Sequence, residues 1–274
     1  MQSISTLLKD LKTFYKKEAR GHLPWRKTRD PYKILVSEVM LQQTQVERVI
    51  PFYNKFIKKF PTPKAFAKAT LSDVLKEWQG LGYNRRAKFL HEAAKIITEE
   101  GFTGQKLPGV GPYTQGAVLA FAFNRSEVFI ETNIRTVFFH YFFNRRAPSA
   151  TDAEGALLQI ADSEILPLVE EALKKSKMEP RDFYAALMDY GSYLKQNGVK
   201  VNSRSKHYVK QSKFEGSARQ LRGAILRELF KKPATLIQLE KNLSPRTRRE
   251  IARELERLKK EGLLKKRSVN FEVV

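Results

Sequence analysis

The residues best placed to do chemistry lie between Leu107 and Val137, in LPGVGPYTQGAVLAFAF followed by NRSEVFIETNIRTV. A carboxylate, Glu131, sits beside Thr132 and Asn133, and a Gly109-Val110-Gly111 turn precedes Pro112. Gly109 and Gly111 are free to take the positive φ that a turn between helices requires. Pro112 suits the first position of a helix, where its missing N–H is no loss. Amides at such a turn face outward at the positive end of the helix dipole, so they fit an anion such as a phosphate. One unit could therefore grip a phosphate backbone and aim a carboxylate. An ordinary helical hairpin buried in a core would use the same residues, and Glu131-Thr132-Asn133 is also a normal helix start.

A second carboxylate, Glu38, lies in PYKILVSEVMLQQTQV. Helical spacing puts Tyr32, Leu35, Val36, Val39 and Met40 on an apolar face. Glu38, Gln42 and Gln45 fall at i, i+4 and i+7 as a polar stripe, which by itself reads as a solvated helix face. Asp30 and Pro31 give the cap and first-turn signals. A third group of candidates is basic. Arg246, Arg248 and Arg249 open SPRTRREIARELERLKKEG, with Ser244 as the expected cap, where a recognition helix would meet a major groove. A solvated or protein-docking face is the competing reading.

The elements that must position these residues are helical. The chain has 274 residues, enough for two domains or one large one, and its hydrophobic content of 42% can supply a core. Amphipathic helices are expected over 3–20, 47–60, 71–78, 85–101, 152–175 and 180–194. HLPWRKTR reads as a loop with a buried Trp25, Gln79 to Tyr83 as a turn, and FFHYFF as a buried aromatic helix in which His140, Phe142 and Phe143 are core. No alternating strand pattern occurs before the C-terminus. The last sixty residues read as helices over 218–231, 235–242 and 245–261 followed by a hairpin from Leu263 to Val274, the winged helix-turn-helix layout.

Lys and Arg number 51 against 29 Asp and Glu, a net charge of +22. Such an excess repels itself unless a polyanion is near, which points to nucleic acid, with an acidic membrane surface as the other candidate. No apolar run reaches the length of a spanning helix. The amphipathic N-terminus reads as a first structural helix rather than a signal peptide. The absence of cysteine excludes disulfides, cysteine-ligated iron–sulfur clusters and thiolate zinc sites, and four scattered histidines make a zinc centre unexpected. The expectation is a cytoplasmic, nucleoid-associated monomer without cofactor. From Lys195 to Lys213 the helical pattern stops; the segment holds six basic residues and no acidic one, and reads as a solvated linker or a phosphate-contacting loop.

LPWRKTRDPYKILVSEVMLQQTQV, GLGYNRRAKFLHEAAK, LPGVGPYTQGAVLAFAF, ETNIRTV and DFYAALMDYGSYL, in this order, resemble the helix-hairpin-helix DNA glycosylases and most closely the MutY-type adenine DNA glycosylases. The resemblance implies an all-α, two-lobed core over 1–194, a basic linker over 195–214 in place of an iron–sulfur loop, and a small winged-helix domain over 215–274. Cleaving an N-glycosidic bond to a purine needs a proton for the departing base and negative charge beside the developing sugar cation, a task two carboxylates can share. The resemblance makes Glu38 the general acid, which requires burial that keeps it protonated near neutrality. Asn133 supports the carboxylates, and Tyr113 helps organise the site where bifunctional relatives carry a Schiff-base lysine. Tyrosine forms no imine, so no lyase activity is expected. Gln43 and Tyr83 match residues that probe the base stack, and Gly109, Val110 and Gly111, helped by Lys106, hold a phosphate.

Four departures stand out. Glu131 replaces the family's Asp, one methylene shorter. The iron–sulfur loop has no cysteines. The stretch between Gly101 and Leu107 is short for the first helix of the hairpin motif. The family's 8-oxoguanine-reading C-terminal domain has no counterpart in the last sixty residues. The implied activity is removal of adenine mispaired with guanine or 8-oxoguanine from duplex DNA. Action on another damaged or mismatched base, and a non-catalytic DNA binder built on a degenerate core, are the alternatives.

Overall fold

The computed structural model describes residues 2–143 and 159–274. In chain order the helices are α1 (Ile4–Glu18), α2 (Pro31–Leu41), α3 (Val46–Lys59), α4 (Pro63–Ala67), α5 (Leu71–Trp78), α6 (Arg85–Glu100), α7 (Pro112–Phe123), α8 (Thr132–Phe138), α9 (Asp162–Ser176), α10 (Pro180–Gln196), α11 (Ala218–Lys231), α12 (Leu236–Asn242) and α13 (Arg248–Lys260). Strands β1 (Ala234–Thr235), β2 (Leu264–Arg267) and β3 (Asn270–Val273) lie in the last segment. The chain is predominantly helical, and its folding divides it into two compact units: 1–35 with 110–210, and 36–109 with 211–274. One division falls inside α2 and another between Gly109 and Val110.

In the first unit, Leu7, Leu8 and Leu11 bury one face of α1. The expected aromatic run is core at Phe138, Phe139, Tyr141 and Phe143, whereas His140 and Phe142 keep partial exposure. Residues 139–143 widen into a π-type turn continuous with α8. Of the helix expected over 152–175, residues 152–158 lie outside the described residues, 159–161 are not helical, and α9 covers the remainder from Asp162. Polar ties fix the packing. Asp189 on α10 is buried and takes Arg20 through Nε at 2.8 Å and Arg26 at 3.3 Å. The Arg181 guanidinium donates to the carbonyls of Phe121, Arg26 and Thr28. A buried carboxylate is tolerable only with such paired donors.

The second unit gathers α3 to α6 around Phe56, Phe66 and Trp78, all fully buried. Phe56 meets Phe66 edge-on at 5.0 Å and Trp78 at 6.0 Å, geometry that the aromatic quadrupole favours. The tail belongs to this unit. Leu221, Ile225, Ile251, Leu255 and Leu258 bury the facing sides of α11 and α13, and β2 pairs antiparallel with β3 in the expected hairpin. β1 adds to β3, giving the order β1-β3-β2. α13 begins later than expected: Thr247, not Ser244, is its cap, in a reciprocal capping box with Glu250. Between Gly101 and Gly111 the described chain forms no helix.

Gly191 of α10 lies against the backbone of Asn133. A Cβ placed there would come within 2.2 Å of the Asn133 carbonyl oxygen, and backbone cannot yield as a side chain does. Gly191→Ala is expected to lower the thermal midpoint by about 5–10 °C, for a cost near 3 kcal/mol at the upper end of overpacking penalties. A midpoint within 1–2 °C of the unaltered protein in a thermal melt would contradict this packing.

Candidate functional site

Glu38 is buried at 5% exposure, and Ser37 beside it at 1%. The solvated stripe expected of Glu38, Gln42 and Gln45 does not form. α2 stops at Leu41, and Gln45 instead precedes α3 as its cap residue. From Ile34 to Met40 every residue of α2 is buried, so its polar members lie within protein rather than on a wet face. A carboxylate kept in such a place costs free energy unless it is used or partnered.

Arg86 fixes the end of that helix. One terminal nitrogen donates to the carbonyls of Val39 at 2.8 Å, Met40 at 3.0 Å and Gln42 at 2.5 Å. The other reaches Thr44 Oγ1 at 3.3 Å, Leu81 O at 3.4 Å and Gly82 O at 3.2 Å. Carbonyls at a helix C-terminus lack intrahelical donors and carry the negative end of the dipole, so a guanidinium satisfies both needs. Burial pushes the Arg86 pKa down to about 10, opposed by Tyr83, and leaves it cationic at neutral pH.

This clamp holds two short segments, and each carries a sequence candidate. Gln43 is exposed with φ +55°, and Tyr83 is half-exposed with φ +47°. Side chains with a Cβ rarely hold such backbone angles without surrounding support. Gln43, Tyr83 and Gly109 line one open cavity of about 1380 Å³ in the second unit, together with Arg48, Arg219 and Arg227. Arg48 donates to the Gly80 carbonyl. Gly109 has φ +71°, and its missing side chain is required, since a Cβ would lie 2.7 Å from Phe89 Cβ. Gly111 departs from expectation. It has φ −86° and extended geometry as the cap residue of α7, so only the first glycine of the turn uses left-handed freedom. Lys106 and Gly111 are exposed and Val110 is partly so.

In the first unit Glu131 is the cap of α8. Its Oε1 accepts from the amides of Asn133 at 2.7 Å and Ile134 at 3.0 Å. The longer side chain thus folds back over its own helix start. The residue keeps some surface open, yet crowding around the carboxylate raises its pKa. Desolvation is the largest cause, and it outweighs the two amide bonds and the nearby Lys195 and Arg135 cations, which lower it. Asn133 buries a side-chain oxygen, Oδ1, with no hydrogen-bond partner among the described residues. Residues with a purely structural task seldom leave an acceptor orphaned. Tyr113 sits on the first turn of α7 with its ring edge-on to Phe129 at 5.8 Å, and Phe129 stacks on Tyr184 at 3.9 Å.

The basic candidates divide. Arg248 and Arg249 are exposed in the first turn of α13. Arg246 precedes the helix and is engaged, donating at 3.2 Å to both Glu250 and Gln220. The segment expected as a linker is stitched to the first unit in its first half. Arg204 donates to Phe143 O at 2.9 Å, Thr136 Oγ1 to Asn202 at 3.0 Å, and Ile160 bridges Ser205. The sequence offers no thiolate for a cluster there, and among the described residues no group of three or more His, Asp or Glu could hold a metal ion.

Sequence reasoning missed Arg86, Gln211 and Arg219. Arg86 had a signal. It precedes Leu90, Ala93 and Ile97 at i+4, i+7 and i+11 on the buried stripe of α6, a place a solvated arginine avoids. Gln211 and Arg219 had none, because their partner lies over a hundred residues away.

Against known proteins, residues 36–162 match the HhH-GPD superfamily base excision DNA repair proteins. The chain is 41% identical over 138 residues to the adenine DNA glycosylase of Buchnera aphidicola subsp. Baizongia pistaciae, covering 47% of this chain and 39% of that one. With the adenine DNA glycosylase of Mycolicibacterium smegmatis it shares 40% identity over 183 residues, 64% of this chain and 58% of the relative. It thus spans from about two fifths to under three fifths of the length of these curated relatives. Among solved structures, a thermostable thymine-DNA glycosylase superposes with a TM-score of 0.57 at 28% identity, covering 69% of this chain and 86% of the other.

Glu131 carries a stability consequence with a definite sign. A carboxyl whose folded pKa lies above its unfolded value stabilises the fold most when protonated, below the unfolded value. That contribution is lost as pH rises from the ordinary 4.5 through the raised value. Glu131→Gln keeps an oxygen for both amides and removes the charge. The variant is expected to melt higher than the unaltered protein, with the gap widening as pH climbs above 4.5. Parallel melts between pH 4 and 8 that show a constant gap, or a less stable variant at neutral pH, would refute the assignment.

Proposed function

We propose that this chain, which carries an HhH-GPD base excision DNA repair domain across residues 36–162, is a monofunctional DNA glycosylase that releases adenine mispaired with guanine or 8-oxoguanine. The observation that carries the reading is Glu38, a carboxylate buried in a helix and lying inside the stretch that matches the HhH-GPD base excision DNA repair proteins. In this role Glu38 donates its proton to the departing purine as the bond from base nitrogen to C1′ of the sugar breaks. Water then adds to C1′ and gives up a proton to the Glu38 carboxylate, which is thereby restored. Glu131 supplies negative charge beside the oxocarbenium-like sugar, with Asn133 as its support. Its side-chain oxygen Oε1 is held by two helix amides, so the charge is fixed in direction before substrate arrives.

Tyr113 stands where a Schiff-base lysine would enable strand cleavage, so the product is an abasic site in an intact strand. Gln43 and Tyr83, exposed and half-exposed on backbone held in left-handed geometry, probe the stack while the target base is extruded. The Gly109–Gly111 turn with Lys106, and Arg248 and Arg249 of the tail, contact phosphates. The partner is duplex DNA, the protein acts as a monomer, and the mechanism draws on no cofactor. The likeness to a thymine-DNA glycosylase favours a second reading, release of mismatched thymine, in which the same carboxylates serve a pyrimidine leaving group.

The deciding experiment is incubation with duplexes carrying A·G, A·8-oxoguanine and T·G pairs, followed by alkaline cleavage. Alkali-labile sites are expected at adenine. Glu38→Gln is expected to slow release by roughly 10²–10⁴, the usual worth of a general acid, while duplex affinity stays within about twofold. Cleavage at thymine alone would select the second reading. No release from any duplex would leave a DNA binder on a degenerate core.

A further inference from the structure

The half-exposed ring of Tyr83 is not held by its own loop alone. Its hydroxyl accepts from Gln211 Nε2 at 2.8 Å and from an Arg219 terminal nitrogen at 2.8 Å. The same Arg219 guanidinium lies 5.3 Å from the ring centroid, and that of Arg86 lies 5.5 Å from it. Arg219 is anchored in turn, donating to Ser212 O at 2.6 Å. Gln211 and Arg219 belong to the tail, while Tyr83 lies in the turn between α5 and α6, and all three are in the second unit. They line one cavity, with Gln43 also on its wall.

The tail is fastened beside this contact by a separate bond. Lys88 Nζ donates to Glu261 O at 2.9 Å, and within the tail Arg222 of α11 forms a two-pronged pair with the Glu261 carboxylate at the end of α13. Tyr83 is thus gripped by a segment whose own position is fixed independently. A tyrosine with φ +47° needs such outside support, because the loop alone would relax toward ordinary backbone angles. A charged donor on the hydroxyl and cations at the ring restrict both the direction and the swing of the side chain.

We propose that Gln211 and Arg219 are positioning residues for DNA probing, holding Tyr83 in the orientation that enters the base stack, so that the C-terminal segment is a working part of the lesion-reading site rather than an appended anchor. The inference rests on the reading of Tyr83 as the residue that meets the stack. It differs from a phosphate-binding role for the tail, in which Arg219 would add only salt-dependent affinity. It differs also from a resting contact that parks Tyr83 away from DNA.

The test uses the full chain carrying Glu38→Gln to block chemistry, with a duplex bearing 2-aminopurine beside an A·G mismatch. Its fluorescence rises when stacking is broken. Arg219→Ala, Gln211→Ala and Tyr83→Phe are compared singly, and Arg219→Ala with Tyr83→Phe together, at saturating protein. Each single change is expected to cut the fluorescence rise severalfold, and the double change to do no more than the worse single one, since both remove the same bond. Multiplicative losses, an unchanged signal in the single variants, or a larger rise once Arg219 is gone would overturn the proposal, the last in favour of a parked tyrosine. A parent protein that fails to unstack the mismatch would overturn it too. Gln211 is exposed, so its variant tests the clamp even if Arg219→Ala unfolds the tail. Base release by the unaltered protein is scored separately, which keeps failure of the glycosylase reading distinct from failure of the clamp.

Discussion

The second unit depends on one guanidinium. Arg86 closes the C-terminus of α2 and the turn before α6 at once, through carbonyls of Val39, Met40, Gln42, Leu81 and Gly82. Of those carbonyls, Gln42 O and Gly82 O have a second donor, Thr44 Oγ1 at 3.3 Å and Trp78 Nε1 at 3.1 Å, and a buried carbonyl left with no donor at all costs on the order of 1–3 kcal/mol. A lysine could reach one or two of them, but the planar fork serves opposite sides simultaneously. The stretch after Leu41 and the Gly80–Tyr83 turn have no helix or strand of their own to hold them. Their left-handed residues, Gln43 and Tyr83, therefore depend on this cation, and so does the register of the helix that carries Glu38.

How much of this was legible in the sequence depends on the range of the interaction concerned. The helices were readable, because periodicity reports burial locally: α5 at Leu71–Trp78 and α11 at Ala218–Lys231 lie where spacing puts them. The α13 start was misplaced by a few residues because Ser244 and Thr247 are both competent caps. Only Glu250, three residues after Thr247, closes a capping box. The polar stripe of α2 failed for a different reason. Periodicity assumes that a polar residue seeks water, and Glu38 breaks that rule. A departure of this kind concentrates at functional positions, where local preference yields to chemistry. The contacts to Tyr83 could not be read at all, since nothing local in QSKFEGSARQ indicates a partner far back in the chain.

Glu131 shows how one position can hold two roles. As the cap of α8 it relieves two orphan amides, a stabilising task. As a desolvated carboxylate with a raised pKa it opposes folding once ionised. Aspartate also caps helices by accepting from these amides, so the Glu131 side chain performs the same capping task with one more methylene folded over the helix start. Both amide bonds fall on Oε1, so capping does not engage Oε2. The arrangement reconciles the helix-start reading with the chemical one: the bonds that cap the helix also orient the charge. Asn133, with its orphaned Oδ1, adds an acceptor at the same helix start.

The charge of +22 is easily overread. Several arginines face inward and are bound to the protein itself: Arg86 and Arg181 on carbonyls, Arg20 and Arg26 on Asp189, Arg222 on Glu261. Each is a scaffold element whose removal would weaken the fold, and none of them is thereby a phosphate ligand. Arg248, Arg249 and Lys106 are exposed and can meet a polyanion. Salt dependence of DNA affinity reports the number of phosphates neutralised, at roughly 0.9 per contact, whereas total charge counts both kinds alike. A slope below the formal charge would thus be consistent with this structure, because these arginines are committed to carbonyls and carboxylates of the protein itself.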